Sequence, residues 1–256
     1  MFFRRGPFML GLSCLLPRPG DYMTHDYSGV PMLLARDEGG ALRGFLNVCR
    51  HRGARVAEGC GNGRRFSCPY HAWTYGLDGR LVARPDEPSF AGMAKASSGL
   101  REVPVHESYG MIWASPTPGA GFDMDAVLGG LHEDLAAYRL ESYHHYETRV
   151  IRRRINWRIA IDTFQESYHL QVLHRSTVDP ILHSNVGCFD AFGRSLRTVY
   201  ARRTISTLRD MPEAQWDVIP YWRRSTCCSP TRCSSCRATT SRPGTCFRPA
   251  TAPTRA

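Results

Sequence analysis

Apolar residues along the first part of the chain come in short stretches, each cut off by Gly, Pro, Asp or Asn, a pattern that predicts many short strands. GVPMLLARDEGGALRGFLNV predicts a hairpin that turns at Asp37-Glu38-Gly39-Gly40, and WTYGLDGRLV predicts another that turns at Leu77-Asp78-Gly79-Arg80. SPTPGAG, residues 115–121, reads as a linker. Helical patterning begins near Met124 and runs through LGGLHEDLAAYRL. HYETRVIRRRINW then alternates as a strand does. Asn156 is a fair N-cap for WRIAIDTFQESYHLQVLH, the strongest helical segment, and FGRSLRTVYARRTISTL returns to strand. No internal repeat is visible, and from about Trp222 neither period is present. The expected organisation is an all-β domain over 1–118, an α+β segment over 119–217 and an aberrant tail over 218–256.

Composition allows a packed core, with 42% apolar and 22% charged residues, and no run of 18 apolar residues marks a spanning helix. A net charge of +10 would ordinarily suggest nucleic acid. That charge is unevenly placed, however: Ser225 to Ala256 carries five Arg and no acid. Lys95 is the only Lys, so the Arg excess reads as the codon bias of a GC-rich genome rather than a binding surface, and neither nucleic acid nor membrane is expected as a partner. The N-terminal MFFRRGPFMLGLSCLLPRPG has an apolar stretch interrupted by Pro, lacks an A-x-A site and offers in GLSC a poor lipoprotein box. Export is not expected, and the chain is placed in the cytoplasm.

The most specific chemistry is Cys49-Arg50-His51, then sixteen residues, then Cys68-Pro69-Tyr70-His71. Each pair follows a strand-like segment and offers one thiolate and one imidazole, both strong ligands for Fe, Zn or Cu. Zinc accepts Cys₂His₂ tetrahedrally, whereas a Rieske cluster takes both Cys on one iron and both His on the other. The C-x-H and C-x-x-H pairs favour the [2Fe–2S] cluster over zinc. Trp73 and Tyr75 read as core around this site. Cys60, Cys14 and Cys188 read as buried small hydrophobes, and His144-His145 as a solvated strand edge.

NVCRHRGARVAEGCGNGRRFSCPYHAWTYGLDGRL closely resembles the cluster-binding segment of the large (alpha) subunit of Rieske non-haem iron oxygenases, the aromatic-ring-hydroxylating dioxygenase family. The resemblance runs from PGDY past the linker and covers most of residues 10–217. Respiratory-chain Rieske proteins look less similar, because Cys60 has no matching partner for their disulfide. The resemblance implies an all-β Rieske fold followed by the front part of a helix-grip catalytic domain. It also implies electrons from NAD(P)H through a reductase, with or without a ferredoxin, and a homotrimer or an alpha-beta hexamer. Arg152-Arg153-Arg154 is assigned to a subunit or reductase contact.

Glu166-Ser167-Tyr168-His169 with His174 matches the family's acid-x-x-His-x₄-His helix. The resemblance makes His169 and His174 two legs of the facial triad for mononuclear Fe(II). It makes Glu166 the acid that links a cluster imidazole of one subunit to an iron imidazole of its neighbour. Asp is the commoner acid in the family's aromatic-ring enzymes, and Glu among relatives acting on quaternary amines. On an ideal helix His169 and His174 lie about 140° apart, so the helix must end, bend or bulge near Val172 for both to reach one metal. The expected activity is hydroxylation or oxidative demethylation of a small organic substrate with O₂. The alternative is a Rieske electron carrier without oxygenase chemistry, which would lack the Glu166/His169/His174 helix.

The tail carries Cys227, Cys228, Cys233, Cys236 and Cys246 in a run rich in Arg, Ser, Thr and Pro. It reads as out-of-frame translation rather than a zinc knuckle. Shifting the frame one base upstream turns Cys and TCN Ser codons into apolar ones and restores a strand pattern over 227–248. Asp162, Asp179, Asp190, Asp210 and Asp217 do not match the family's carboxylate ligand, so no third iron ligand is assigned, and the chain as written is expected to be inactive.

Overall fold

The computed structural model describes residues 6–26, 28–121, 123–148 and 154–227, with two short extended pieces beyond, Cys233–Ser234 and Phe247–Pro249. Most of the expected out-of-frame tail, including Cys236, therefore lies outside the described residues, as do Arg152 and Arg153. The chain forms two compact units, one of residues 1–123 with 135–145 and 250–256, the other of 124–134 with 146–249.

The first unit is built of antiparallel strands β1 (Phe8–Leu12), β2 (Asp21–His25), β3 (Met32–Arg36), β4 (Leu42–Leu46), β5 (Cys60–Asn62), β6 (Arg65–Ser67), β7 (Thr74–Gly76), β8 (Leu81–Ala83), β9 (Val105–Ser108) and β10 (Met111–Ala114). They make three sheets in the orders β4-β3-β2-β5, β6-β7-β8 and β1-β10-β9. Both expected hairpins form, β3–β4 around the 37–41 turn and β7–β8 around Asp78-Gly79. β3 explains why its sequence, MLLAR, is a continuous apolar run. Leu33 and Ala35 pack into a core with Phe45, Phe66, Trp73 and Tyr75, while Met32 and Leu34 pack into a second with Phe8, Leu10 and Ile112. A strand buried on both faces has no polar side to show. Gly79 closes the β7–β8 turn at φ +80°, and a Cβ there would stand 2.3 Å from the Phe45 ring, so only Gly fits. A strand β11 (Tyr143–His145) bears the expected His144-His145 pair, with His144 exposed and His145 half-buried.

Helices α1 (Met124–Leu128) and α2 (His132–Tyr138) begin where helical patterning predicts them. In the second unit, Asn156 caps α3 (Trp157–Phe164), its side chain accepting the Arg158 amide. The helix expected to continue through His174 stops at Phe164. The chain turns over 165–169 and resumes as the single turn α4 (Leu170–Leu173). Three antiparallel strands follow, β12 (Leu182–Phe192), β13 (Ser195–Arg202) and β14 (Trp222–Cys227). β14 occupies part of the segment read from sequence as tail, in register with Leu196 to Ala201 of β13. Asp134 ties it down, accepting from Arg224 (2.8 Å) and Arg197 (2.7 Å).

Three cysteines differ from expectation. Cys60 and Cys188 are exposed and Cys14 is half-buried. Cys60 lies on β5, an edge strand with one neighbour, and Cys188 on the solvent-facing stretch of β12, where nothing packs over it among the described residues.

Candidate metal centres

Two loops of the first unit carry the Cys/His pairs, and they are closed in the same way. In the first, the Cys49 amide donates to the Ala54 carbonyl (2.7 Å) and the Gly53 amide to the Cys49 carbonyl (3.0 Å). In the second, the Cys68 amide donates to the Trp73 carbonyl (2.8 Å) and the Ala72 amide to the Cys68 carbonyl (2.9 Å). Each turn needs a left-handed residue before its closing carbonyl, supplied by Gly53 (φ 77°) and Ala72 (φ 55°). Ala is an uncommon choice there, which marks Ala72 as held by its surroundings.

The matched turns bring the four side chains together. The Cys49 and Cys68 thiols are buried and adjacent, and the His51 and His71 rings lie 4.6 Å apart. Trp73 stacks on His51 at 5.1 Å and 9°, and Tyr70, 59% exposed, stacks on His71 at 3.8 Å. Tyr75 is buried behind the thiols. Its oxygen accepts the Arg50 amide (3.0 Å) and is hydrogen-bonded to Cys49 Sγ (3.2 Å). Burial pushes the Cys49 thiol up and Cys68 adds to this, against the hydrogen bond from Tyr75. Burial, then the neighbouring His71, pushes His51 below the usual imidazole range. Asn47, fully buried, clamps the first loop by donating to the Ala57 carbonyl and accepting the Val56 amide. Sequence reading missed Asn47; a polar residue two places before a ligand Cys is its only signal.

In the second unit, the turn before α4 gathers Glu166, His169 and His174. Glu166 Oε1 pairs with His169 Nδ1, and Oε2 accepts the Tyr168 and His169 amides. Burial works to raise the Glu166 carboxyl, but the hydrogen bonds from His169 and the Tyr168 amide prevail and hold it below the usual range. His169 precedes α4 and His174 ends it, and their rings stand 5.3 Å apart. A single short turn thus does what a continuous helix could not. Ser167, also missed from sequence, anchors it: its buried Oγ accepts the Asn185 amide (3.0 Å) from β12. Leu170 packs beneath with Leu182 and Tyr200. Tyr168 (75%) and Val172 (86%) face outward. Asp179 and Asp190 are engaged by Arg203 and Arg197.

Comparison with known proteins locates both sites in recognised domains. Residues 7–104 match the Rieske [2Fe-2S] domain, and residues 140–226 match the ring hydroxylating alpha subunit (catalytic domain). The chain belongs to the Rieske non-haem iron oxygenase large-subunit family. It is 31% identical to the oxygenase subunit of glycine betaine monooxygenase from Chromohalobacter salexigens over 68% of its own length and 39% of that protein's. It is 38% identical to biphenyl 2,3-dioxygenase subunit alpha from Rhodococcus jostii over 50% of this chain and 28% of that one. The fold also superposes on a quaternary ammonium Rieske monooxygenase solved with L-carnitine, with a TM-score of 0.74, 22% identity, and 88% of this chain and 59% of that chain covered. The chain therefore spans about two fifths of the length of the first of these relatives.

A Rieske domain implies a [2Fe–2S] cluster, and the catalytic domain implies mononuclear iron. The first-unit donors fit the cluster. Nδ1 of His51 and Nδ1 of His71 are both buried with no hydrogen-bond partner among the described residues, as suits nitrogens reserved for a metal, and the thiols form a separate buried pair. In the second unit His169 fits iron through Nε2, because its Nδ1 is taken by Glu166. No helix among the described residues is long and apolar enough to cross a membrane.

Proposed function

We propose that this chain belongs to an oxygenase component that takes single electrons from a reductase and uses them with O₂ to hydroxylate or demethylate a small organic substrate. The observation that carries the reading is the pair of matched Cys-closed turns presenting two buried thiols and two imidazoles whose Nδ1 atoms have no hydrogen-bond partner among the described residues. Cys49, His51, Cys68 and His71 are assigned to the [2Fe–2S] cluster, and His169 and His174 to mononuclear iron. When bound, the cluster supplies one-electron transfer and the iron a site for O₂.

The protein's own groups prepare both sites. Tyr75 is placed to donate its hydroxyl proton to a Cys49 thiolate, and Trp73 stacks on the His51 ring. Glu166 keeps the proton on Nδ1 of His169 and so points Nε2 at the metal. Glu166 is further assigned as the electron bridge between a cluster imidazole of one subunit and His169 of the next, in a homotrimer or alpha-beta hexamer fed by NAD(P)H through the reductase. In support, its carboxylate is partly exposed while bonded to His169. A quaternary ammonium substrate is favoured over an aromatic one, from Glu at 166 and the betaine relative.

Anaerobic reconstitution followed by electron spin resonance of the reduced protein tests the cluster assignment. The expected result is a Rieske spectrum of low average g, lost in Cys68→Ser. Stoichiometric zinc with no such spectrum overturns it.

A further inference from the structure

One buried cation close to the cluster site is unused by the reading above. Arg84 follows β8, and its side chain is 2% exposed. Its Cζ lies 5.7 Å from the centroid of Trp73 and 5.0 Å from that of Phe90. Both aromatics also touch His51: Trp73 stacks on it at 5.1 Å, and Phe90 meets it edge-on at 6.0 Å. Trp73 and Phe90 are therefore shared between a fixed positive charge and a cluster imidazole. The guanidinium is no further from His51 than the two Trp73 separations laid end to end.

Arg84 is only partly explained as a brace. Nη2 donates to Glu87 Oε1 (2.8 Å), the Phe90 carbonyl (3.1 Å) and the Met93 carbonyl (2.7 Å). Nε and Nη1, however, are buried with no hydrogen-bond partner among the described residues. Burying donors unpaired is destabilising, so the gain from the Nη2 bonds is offset in part by the two donors left unpaired. What an apolar side chain cannot supply is a charge that solvent and salt do not screen. Glu87 offsets that charge only in part, because it is half-exposed and shared with Lys95 at 3.1 Å.

We infer that Arg84 is a positioning residue for electron uptake: its buried charge, set behind Trp73 and Phe90, stabilises the reduced state of the cluster and raises its reduction potential. The inference rests on the cluster assignment proposed above. Reduction adds one negative charge to the cluster, so a nearby cation favours it and a nearby anion opposes it. Removing Arg84 and removing Glu87 must then act in opposite directions.

The test is a redox titration of the reconstituted full chain, followed by the visible circular dichroism of the cluster. Arg84→Met is expected to shift the oxidised-to-reduced ratio at the midpoint of the unmodified chain about threefold toward oxidised, or about 28 mV at 59 mV per decade. Glu87→Gln is expected to shift it toward reduced, and Arg84→Lys to restore most of the lost ground. Arg80→Gln makes the same charge change at a side chain 85% exposed and should move the midpoint little. If Arg84→Met and Glu87→Gln both match Arg80→Gln, the inference is overturned. If Arg84→Met fails to load a cluster, Glu87→Gln decides alone. An unmodified chain that yields no Rieske signal overturns the cluster assignment itself, whereas a normal signal with an unmoved midpoint overturns only the role of Arg84.

Discussion

Glu166 Oε1 is bonded to Nδ1 of His169, three residues on, within a turn that interrupts the helix between Phe164 and Leu170. The bond fixes which nitrogen of the imidazole is left for a metal. Glu166→Gln keeps the size of the side chain but removes the charge that strengthens the ligand, and should weaken Fe(II) binding about 10–100-fold. Anaerobic titration against a competing chelator measures this. Unchanged affinity would show that the carboxylate does not support the metal.

The folded carboxyl of Glu166 lies below its ordinary value of 4.5. Its contribution to stability is therefore complete above that value and is lost as pH falls through the lower, folded one. The same sign holds for Glu107, lowered chiefly by its hydrogen bonds with Arg36 at 2.7 and 2.9 Å. Glu107→Gln should cost about 1.5–3 kcal/mol near neutrality and flatten the acid side of the stability curve. Thermal unfolding followed from pH 7 down to pH ~3 tests this. A variant that loses stability with pH as steeply as the parent would refute it.

The two ligand turns should respond asymmetrically to substitution. Gly53→Ala places a side chain at φ 77° and should destabilise by about 1–2 kcal/mol. Ala72→Gly removes the same strain at φ 55°, offset in part by about 0.4–1 kcal/mol of added freedom in the unfolded chain, so it should range from neutral to stabilising by about 1.5 kcal/mol. Thermal melts of the cluster-free protein compare them. Equal losses from both would mean the left-handed conformation is not what limits these turns.

Ser167→Ala leaves the Asn185 amide without its acceptor, at a cost of about 1–3 kcal/mol. The loosened turn should also weaken metal binding at His169 and His174 while the cluster spectrum stays intact. A loss of both signals together would mean that the substitution unfolds the chain rather than freeing the turn.

The C-x-H and C-x-x-H spacings, the two hairpin turns and the Asn156 cap were legible from residue order alone, because each is a local constraint that neighbours in sequence satisfy between themselves. The helix break was only half legible. Geometry demanded an interruption for His169 and His174 to meet, but the expected place was Val172 and the observed break is at 165–169, with α4 then ending at His174. Its cause is partly remote, since Ser167 is held by Asn185 of β12 and Leu170 by Leu182 and Tyr200.

Sequence by itself determined which donor atoms this protein carries and in what order: two thiols, four imidazoles and one acid at spacings that suit a cluster and an iron. Tertiary structure alone decided their states. Folding repeated one closed turn at Cys49 and Cys68, buried Nδ1 of His51 and of His71 without a hydrogen-bond partner among the described residues, and left the Trp73 ring in contact with both the His51 ring and the Arg84 guanidinium. It also left Cys60 and Cys188 exposed, where residue type suggested burial. The physical reason is that burial and field belong to the surroundings of a side chain, and those surroundings come from segments distant in sequence.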